Sequence, residues 1–256
     1  GIWGDLQLIR TTSNKKSRFL ARKTARPFIL RRTKDQVLSD LPPKIENNVF
    51  LDMTEEERGR YTQTLHGIKA HIQTSESRRK YGEILKGLLS LLQLCLWQTE
   101  DGTANKNMHN IRSTKIDFLI EQLEQILEEG HQAIIFSQFT TYLDVIEQFI
   151  QERHWKFSRI DGGQSVKKRQ KQVDQFQSGK NPIFLISLKA GGVGLNLTAA
   201  SYVFIMDPWW NPAVEQQAID RAHRIGQENR LTVYRPLMTN SVEEKVLELQ
   251  RMKKEL

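Results

Sequence analysis

From Arg112 to the C-terminus, short β-rich runs alternate with amphipathic helical segments, and that rhythm leaves few folds open. The β-rich runs stand at 133–136, 157–160, 183–187, 202–206 and 231–234. Helical spacing fills about 139–153, 165–178, 212–224 and 241–255, and Ile116, Leu119, Ile120, Leu123, Ile126 and Leu127 make an apolar stripe before the first run. Strands separated by helices predict a parallel sheet covered on both faces. Ligands of such sheets bind beyond the carboxyl ends of the strands. The chemistry is therefore expected in the loops after Phe136, Ile160, Ser187 and Met206.

Residues 1–110 read differently. The first fifty hold eleven Lys/Arg against four Asp/Glu, much of the chain's formal charge of +8. Such an excess suits a polyanion, although a solvated basic surface has the same composition. Pro42-Pro43 breaks the chain, and Thr54 with Glu57 forms a capping box that opens a helix to about Ile72. A second, Leu-dense helix over 81–97 is expected to be mostly buried, with its single thiol, Cys95, in packing. One cysteine excludes an internal disulfide and a multi-Cys zinc site. Residues 99–110 read as a polar loop. No apolar run is long enough to span a bilayer. The chain begins at Gly1 without a methionine and is expected to be a fragment.

Four runs fall in the predicted loops. In Asp207-Pro-Trp-Trp-Asn-Pro, Asn211 caps a helix and Pro212 takes its first position. On that helix Gln217, Arg221 and Arg224 are spaced to share one face, beside an apolar stripe of Val214, Ala218, Ala222 and Ile225. The two arginines either pair with carboxylates such as Asp220 or clamp phosphate with their guanidinium forks. After the 183–187 strand, Gly191, Gly192 and Gly194 permit close approach of an anion to backbone N–H groups, with Lys189 adding charge. Ser137 and Gln138 either bind phosphate or cap the next helix. Asp161, before Gly162-Gly163, is expected to hold its own turn.

Together these runs resemble the second RecA-like lobe of the SWI/SNF family of DNA-dependent ATPases, within helicase superfamily two. Asp220-Arg-Ala-His-Arg-Ile-Gly-Gln227 is the most specific piece, and Phe136-Ser-Gln-Phe139, Asp161-Gly-Gly163 and Ala190-Gly-Gly-Val-Gly-Leu-Asn-Leu197 match in order. Arg26-Pro-Phe-Ile-Leu-Arg-Arg-Thr-Lys34 and Asp40-Leu-Pro-Pro-Lys44 resemble the segment joining the family's two lobes. The resemblance implies an α/β fold: a RecA-like parallel sheet with helices on both faces, preceded by a helical family-specific insertion. It implies an interlobe segment over 1–50, the insertion over 51–110, the RecA-like domain over 111–240 and a bracing helix over 241–256. It assigns Arg221 and Arg224 to catalysis as arginine fingers. Gln217, Asn196 and Gly194 are assigned to the nucleotide. Ser137, Gln138, Gly162, Ser187, Lys189, Gly191, Gly192 and Trp210 are assigned to the DNA-facing edge. Leu188 departs from the family's usual hydroxyl residue, and Leu92 and Trp97 depart from its Arg and His, so no contact is carried over there. Trp209-Trp210 and Leu188 resemble bacterial and DNA-repair-like branches.

The resemblance further implies ATP and Mg2+, bound mainly by an N-terminal ATPase lobe, and double-stranded DNA held by its phosphates. An intracellular location is expected: cytoplasm or nucleoid in a prokaryote, nucleus in a eukaryote. A motor of this class needs a Gly-x-x-x-x-Gly-Lys-Ser/Thr loop and an acidic pair for magnesium. Neither is in this sequence: Gly179-Lys180 is a turn before a strand, and Glu128-Glu-Gly-His131 is a helix end with Gly130 as its stop. The fragment alone is thus expected to be inactive, and exposed apolar surface over 1–110 to permit dimerisation. Two other functions remain open at this point: a strand-separating helicase of the same superfamily, and a non-catalytic DNA- or protein-binding module.

Overall fold

The computed structural model describes residues 41–74, 80–98, 113–188, 190 and 194–255. Six strands form one wholly parallel sheet: β1 (Lys44–Leu51), β2 (Ala133–Ser137), β3 (Phe157–Ile160), β4 (Ile183–Ser187), β5 (Tyr202–Ile205) and β6 (Leu231–Met238). Their order across the sheet is β1-β6-β5-β2-β4-β3. The helices are α1 (Glu55–Thr74), α2 (Lys80–Leu94), α3 (Thr114–Glu128), α4 (Thr140–Glu152), α5 (Val166–Gln177), α6 (Pro212–Ile219) and α7 (Val242–Glu255).

Side-chain alternation along the strands divides the core in two. Ile134, Phe136, Phe184, Ile186, Val203 and Ile205 face α5 and α6, and pack on Val173, Phe176, Ala218 and Ile219. Ala133, Ile135, Leu185 and Phe204 face the other way, onto Leu119, Leu123, Leu143 and Ile146 of α3 and α4. A doubly covered parallel sheet needs strands that are apolar on both faces, and β2 and β4 are buried at all five positions.

The local signals act as the residue types dictate. Thr54 N–H donates to Glu57 Oε2 (2.9 Å) and Glu57 N–H to Thr54 Oγ1 (3.2 Å), a reciprocal capping box. Gly130 has φ 74°, and His131 N–H reaches back to Ile126 O (2.9 Å), ending α3. Cys95 is buried, and burial raises its thiol pKa well above the ordinary value.

Edge strand β1 takes in residues 44–50 of the expected interlobe segment together with Leu51, and pairs with β6 over eight registers from Lys44↔Leu231 to Leu51↔Met238. Two expectations are corrected. The stretch 81–97, helical only to Leu94, is buried mainly in its second half: Leu91, Leu92, Cys95 and Leu96 lie inside, whereas Tyr81, Ile84 and Leu85 are exposed. Helix α6 stops at Ile219, five residues short. The basic segment 1–40 and the loop 99–110 lie outside the described residues.

Glu57 joins the helical pair to the sheet domain. Besides the capping box, its carboxylate accepts from Thr114 N–H (3.0 Å) and Thr114 Oγ1 (2.6 Å) at the start of α3. Arg58 donates to Thr239 O (2.7 Å) and Asn240 O (2.9 Å), and Val242 N–H donates to Tyr61 Oη (2.8 Å). Glu57→Ala strands three donors and is expected to destabilise the chain by about 2 kcal/mol in urea unfolding, against about 0.5 kcal/mol for the exposed Glu56→Ala.

Candidate functional site

The strand registers bring the predicted loops to one edge. Ser137 is opposite Ser187, Phe136 is opposite Ile205, and Leu188 N–H joins the loops after β2 and β4 by donating to Ser137 O (2.9 Å). The central strand β2 is also where the chain order reverses across the sheet, the place where such sheets open a ligand crevice.

The arginine segment sits beside this edge as a stapled turn. Asn211 Oδ1 accepts from Ala213 N–H (3.1 Å), and Pro212 is the first residue of α6, as expected. The helix does not continue through Arg221, whose carbonyl accepts instead from outside the segment: Leu197 N–H bonds to Arg221 O (3.0 Å). His223 Nε2 bonds to Pro42 O (2.9 Å), and Gln227 Nε2 donates to Ala200 O (2.7 Å) and Ala222 O (3.1 Å). Gly226 turns the chain with φ 99°. Gln217, Arg221 and Arg224 therefore do not share one helix face. Nor does Ile225 pack on the sheet: it is 72% exposed, and Ile219 is buried in its stead.

Arg221 is half-buried. Its Nη1 is withdrawn from solvent with no hydrogen-bond partner among the described residues, and burial lowers its pKa. Arg224, Gln217, Asn196 and Gly194 are exposed. The backbone bond from Leu197 holds Asn196 next to the arginine turn.

At the expected DNA edge the residues divide. Gly162 is exposed, and its carbonyl accepts from Arg169 Nη2 (3.2 Å). Asp161 lies 3.7 Å from Arg159, which is gripped by Asp144 and Glu147 (2.6 Å each). Ser137 is fully buried; its hydroxyl donates to Asp207 (2.5 Å) and accepts from Phe139 N–H (3.1 Å), so it caps the following helix and is not a surface contact. Ser187 is likewise buried, by its central place in the sheet. Gln138 is half-buried, with its amide nitrogen out of solvent. Trp210 packs against the cluster of Tyr61, Met238 and Val246. Lys189, Gly191 and Gly192 lie outside the described residues.

Several supporting residues gave no sequence signal. Buried Glu215 accepts from Trp209 N–H (2.7 Å) and Gln250 Nε2 (2.6 Å), and pairs with Arg235 (3.3 Å), fixing the tryptophan loop to α7 and β6. A lone Glu among Gln and Ala residues cannot be told from a solvated one until its partners, 6 to 35 residues away, are known.

This fold and this arginine turn define a RecA-like lobe of the helicase type. Residues 114–226 match the helicase conserved C-terminal domain, and residues 6–100 match the SNF2-related domain. The chain belongs to the SWI/SNF family of ATPases and carries its C-terminal lobe. It is 39% identical over 239 residues to an uncharacterized ATP-dependent helicase of Mycoplasma genitalium, covering 93% of this chain and 22% of that protein. The Sulfolobus solfataricus SWI2/SNF2 ATPase core in complex with dsDNA is 30% identical, with a TM-score of 0.71, and the match covers 95% of this chain and 52% of that one. The C-terminal part of the Fun30 ATPase domain is 25% identical, with a TM-score of 0.69 over 82% of this chain and 89% of that one. The chain spans less than a quarter of the length of the curated relatives it matches. Among the described residues no helix is long and apolar enough to cross a membrane.

Proposed function

We propose that the chain is the second motor lobe of an ATP-dependent translocase or remodelling ATPase acting on double-stranded DNA inside the cell. The observation that carries this reading is the Arg221 guanidinium, held in a stapled turn with a buried, unpartnered Nη1. Withdrawing a cation from water without a partner costs free energy, and an arriving anion restores it. The residues fit a nucleotide: Arg221 and Arg224 at the phosphates, Gln217 beside them, and Asn196 and Gly194 toward the ribose. When bound, ATP supplies the anion and the transferable phosphoryl group. The two guanidinium groups stabilise the charge that develops there.

In this reading Gly162, Gln138, Trp210, Lys189, Gly191 and Gly192 face DNA phosphates, while Ser137 and Ser187 support that edge from beneath. Duplex DNA is favoured by the dsDNA complex of the Sulfolobus relative. By the family resemblance magnesium is assigned to the first lobe, and no step runs through it here. Residues 51–110 serve as the helical insertion, 111–240 as the RecA-like domain and 241–256 as a brace between the lobes.

Phosphate release with and without duplex DNA tests the reading. The 256-residue chain alone is expected to stay at background. A longer protein that adds the phosphate-loop lobe is expected to hydrolyse ATP faster with DNA. DNA-stimulated hydrolysis by the chain alone would overturn the proposal.

A further inference from the structure

Beneath the site lies a buried polar cluster that the function above does not use. Asp207 just beyond β5, Lys115 in the first turn of α3 and Glu243 in the first turn of α7 are each 0% exposed. Lys115 Nζ donates to Met206 O (2.7 Å) and Glu243 Oε1 (2.6 Å), and Glu243 Oε2 accepts from Met238 N–H (2.8 Å). Asp207 accepts from the Ser137 hydroxyl (2.5 Å) and from Gln138 N–H, 3.3 and 3.2 Å from its two oxygens. Helix α4 begins at this point with Phe139 as its N-cap, and no side chain of that residue satisfies the exposed N–H groups. The acceptor comes from Ser137 at the end of β2, backed by Asp207 beyond the neighbouring strand β5. Ser137 Oγ takes Phe139 N–H and passes its own proton toward Asp207, placing a carboxylate at the positive end of α4.

We propose that Asp207 is a positioning residue for the turn at residues 137–139, and that the Lys115–Glu243 ion pair ties this anchor to the start of α7. One cluster thus fixes both the loop after β2 and the root of the C-terminal helix. The DNA contact assigned to that loop rests on the function proposed above; the anchoring does not.

The groups facing Asp207 are Lys115 from α3, Glu243 from α7, Tyr142 from α4, and Ser137 and Gln138 from the end of β2. Tyr142 Oη is buried without a hydrogen-bond partner among the described residues, and Asp117 also bears on it. Two carboxylates here share one ammonium. Burial pushes the Asp207 carboxyl up to about 6, against hydrogen bonds from Ser137 and Gln138 and the charge of Lys115 that favour ionisation. As pH falls through that value the carboxylate gains a proton and loses accepting capacity, so the turn loosens.

Hydrogen–deuterium exchange of the 256-residue chain, corrected for intrinsic rates, reads this at residues 136–141. Asp207→Asn is expected to speed exchange there about tenfold at neutral pH, as for the loss of roughly one charge-assisted hydrogen bond. The unsubstituted chain is expected to show the same loosening between about pH 7.5 and about pH 5, and Asp207→Asn to be insensitive to it. Glu243→Gln is expected to speed the same segment by about threefold. Unchanged exchange in Asp207→Asn, or a loosening shared equally by β4 and β6, overturns the proposal. The pH series needs no variant, so a chain that fails to fold does not spare it: a flat series in the unsubstituted chain also overturns it. Absence of DNA-stimulated turnover in a two-lobe protein would strike only the proposed function.

Discussion

Arg221→Ala in a protein containing both lobes is expected to lower ATP turnover by about a thousandfold or more while leaving DNA affinity nearly unchanged. The size follows from the guanidinium's state before any ligand arrives. Its Nη1 is already desolvated and unpartnered, so little reorganisation is needed when charge develops nearby. Arg221→Lys is expected to recover little, because an ammonium cannot reproduce the planar fork. The same desolvation gives a second readout in the isolated chain. Removing a half-buried guanidinium whose Nη1 is desolvated without an acceptor is expected to cost the isolated chain little stability, so Arg221→Ala keeps its urea midpoint within about 0.5 kcal/mol as it loses turnover. Normal turnover with weakened DNA binding would contradict the assignment. Arg224, exposed and three residues on, is expected to show the same turnover loss.

Lys115→Met is expected to destabilise the chain by about 3–5 kcal/mol, the largest stability effect of any substitution considered. It strands Glu243 in a dry interior and deprives Met206 O of its donor. Replacing the pair together, as Lys115→Met with Glu243→Leu, is expected to recover most of the loss, because no buried charge is then left alone. Equal losses in the single and double variants would show that the pair is not coupled. Asp207 adds a pH term of definite sign. Its carboxyl is raised from 3.8 to about 6, so the folded chain binds this proton more tightly than the unfolded one. Its contribution to stability is therefore greatest below about pH 4, declines as pH rises to about 6 and is level beyond. Acid thus relieves the buried charge while loosening the turn that the charge holds. The share of global stability that Asp207 contributes and the local exchange at 137–139 should therefore move in opposite directions, which a comparison of the unsubstituted chain with Asp207→Asn reads out.

The strands were legible because β-rich runs bounded by turn residues leave no room for helices, and 157–160 and 183–187 coincide with β3 and β4. Strand β6 runs on to Met238 through Pro236, and Tyr234 is the last of its residues paired with β5. Beyond that point the strand is paired on one side only, where a missing N–H is tolerated. Strand β1 was illegible because Asn47-Asn48 interrupts its apolar pattern; pairing with β6 makes it a strand, not intrinsic preference. The arginines were found by their motif, but their geometry was not. Helical spacing cannot foresee that Leu197, 24 positions earlier, will take the carbonyl of Arg221. The buried Lys115, Asp207 and Glu243 look like ordinary surface charges until α3, β5 and α7 meet.

Edge strand β1 also decides how the lobe bears load. It runs parallel to β6 over eight registers, so a pull along its axis shears all the backbone bonds of that ladder together and cannot peel them one at a time. Of the described residues, Leu41 and Pro42 are the first on the N-terminal side of that strand, and Pro42 O is latched to His223, between Arg221 and Arg224. Tension reaching the sheet from the N-terminal side therefore falls first on the arginine turn, which makes that one hydrogen bond a mechanical link between chain tension and the guanidinium groups.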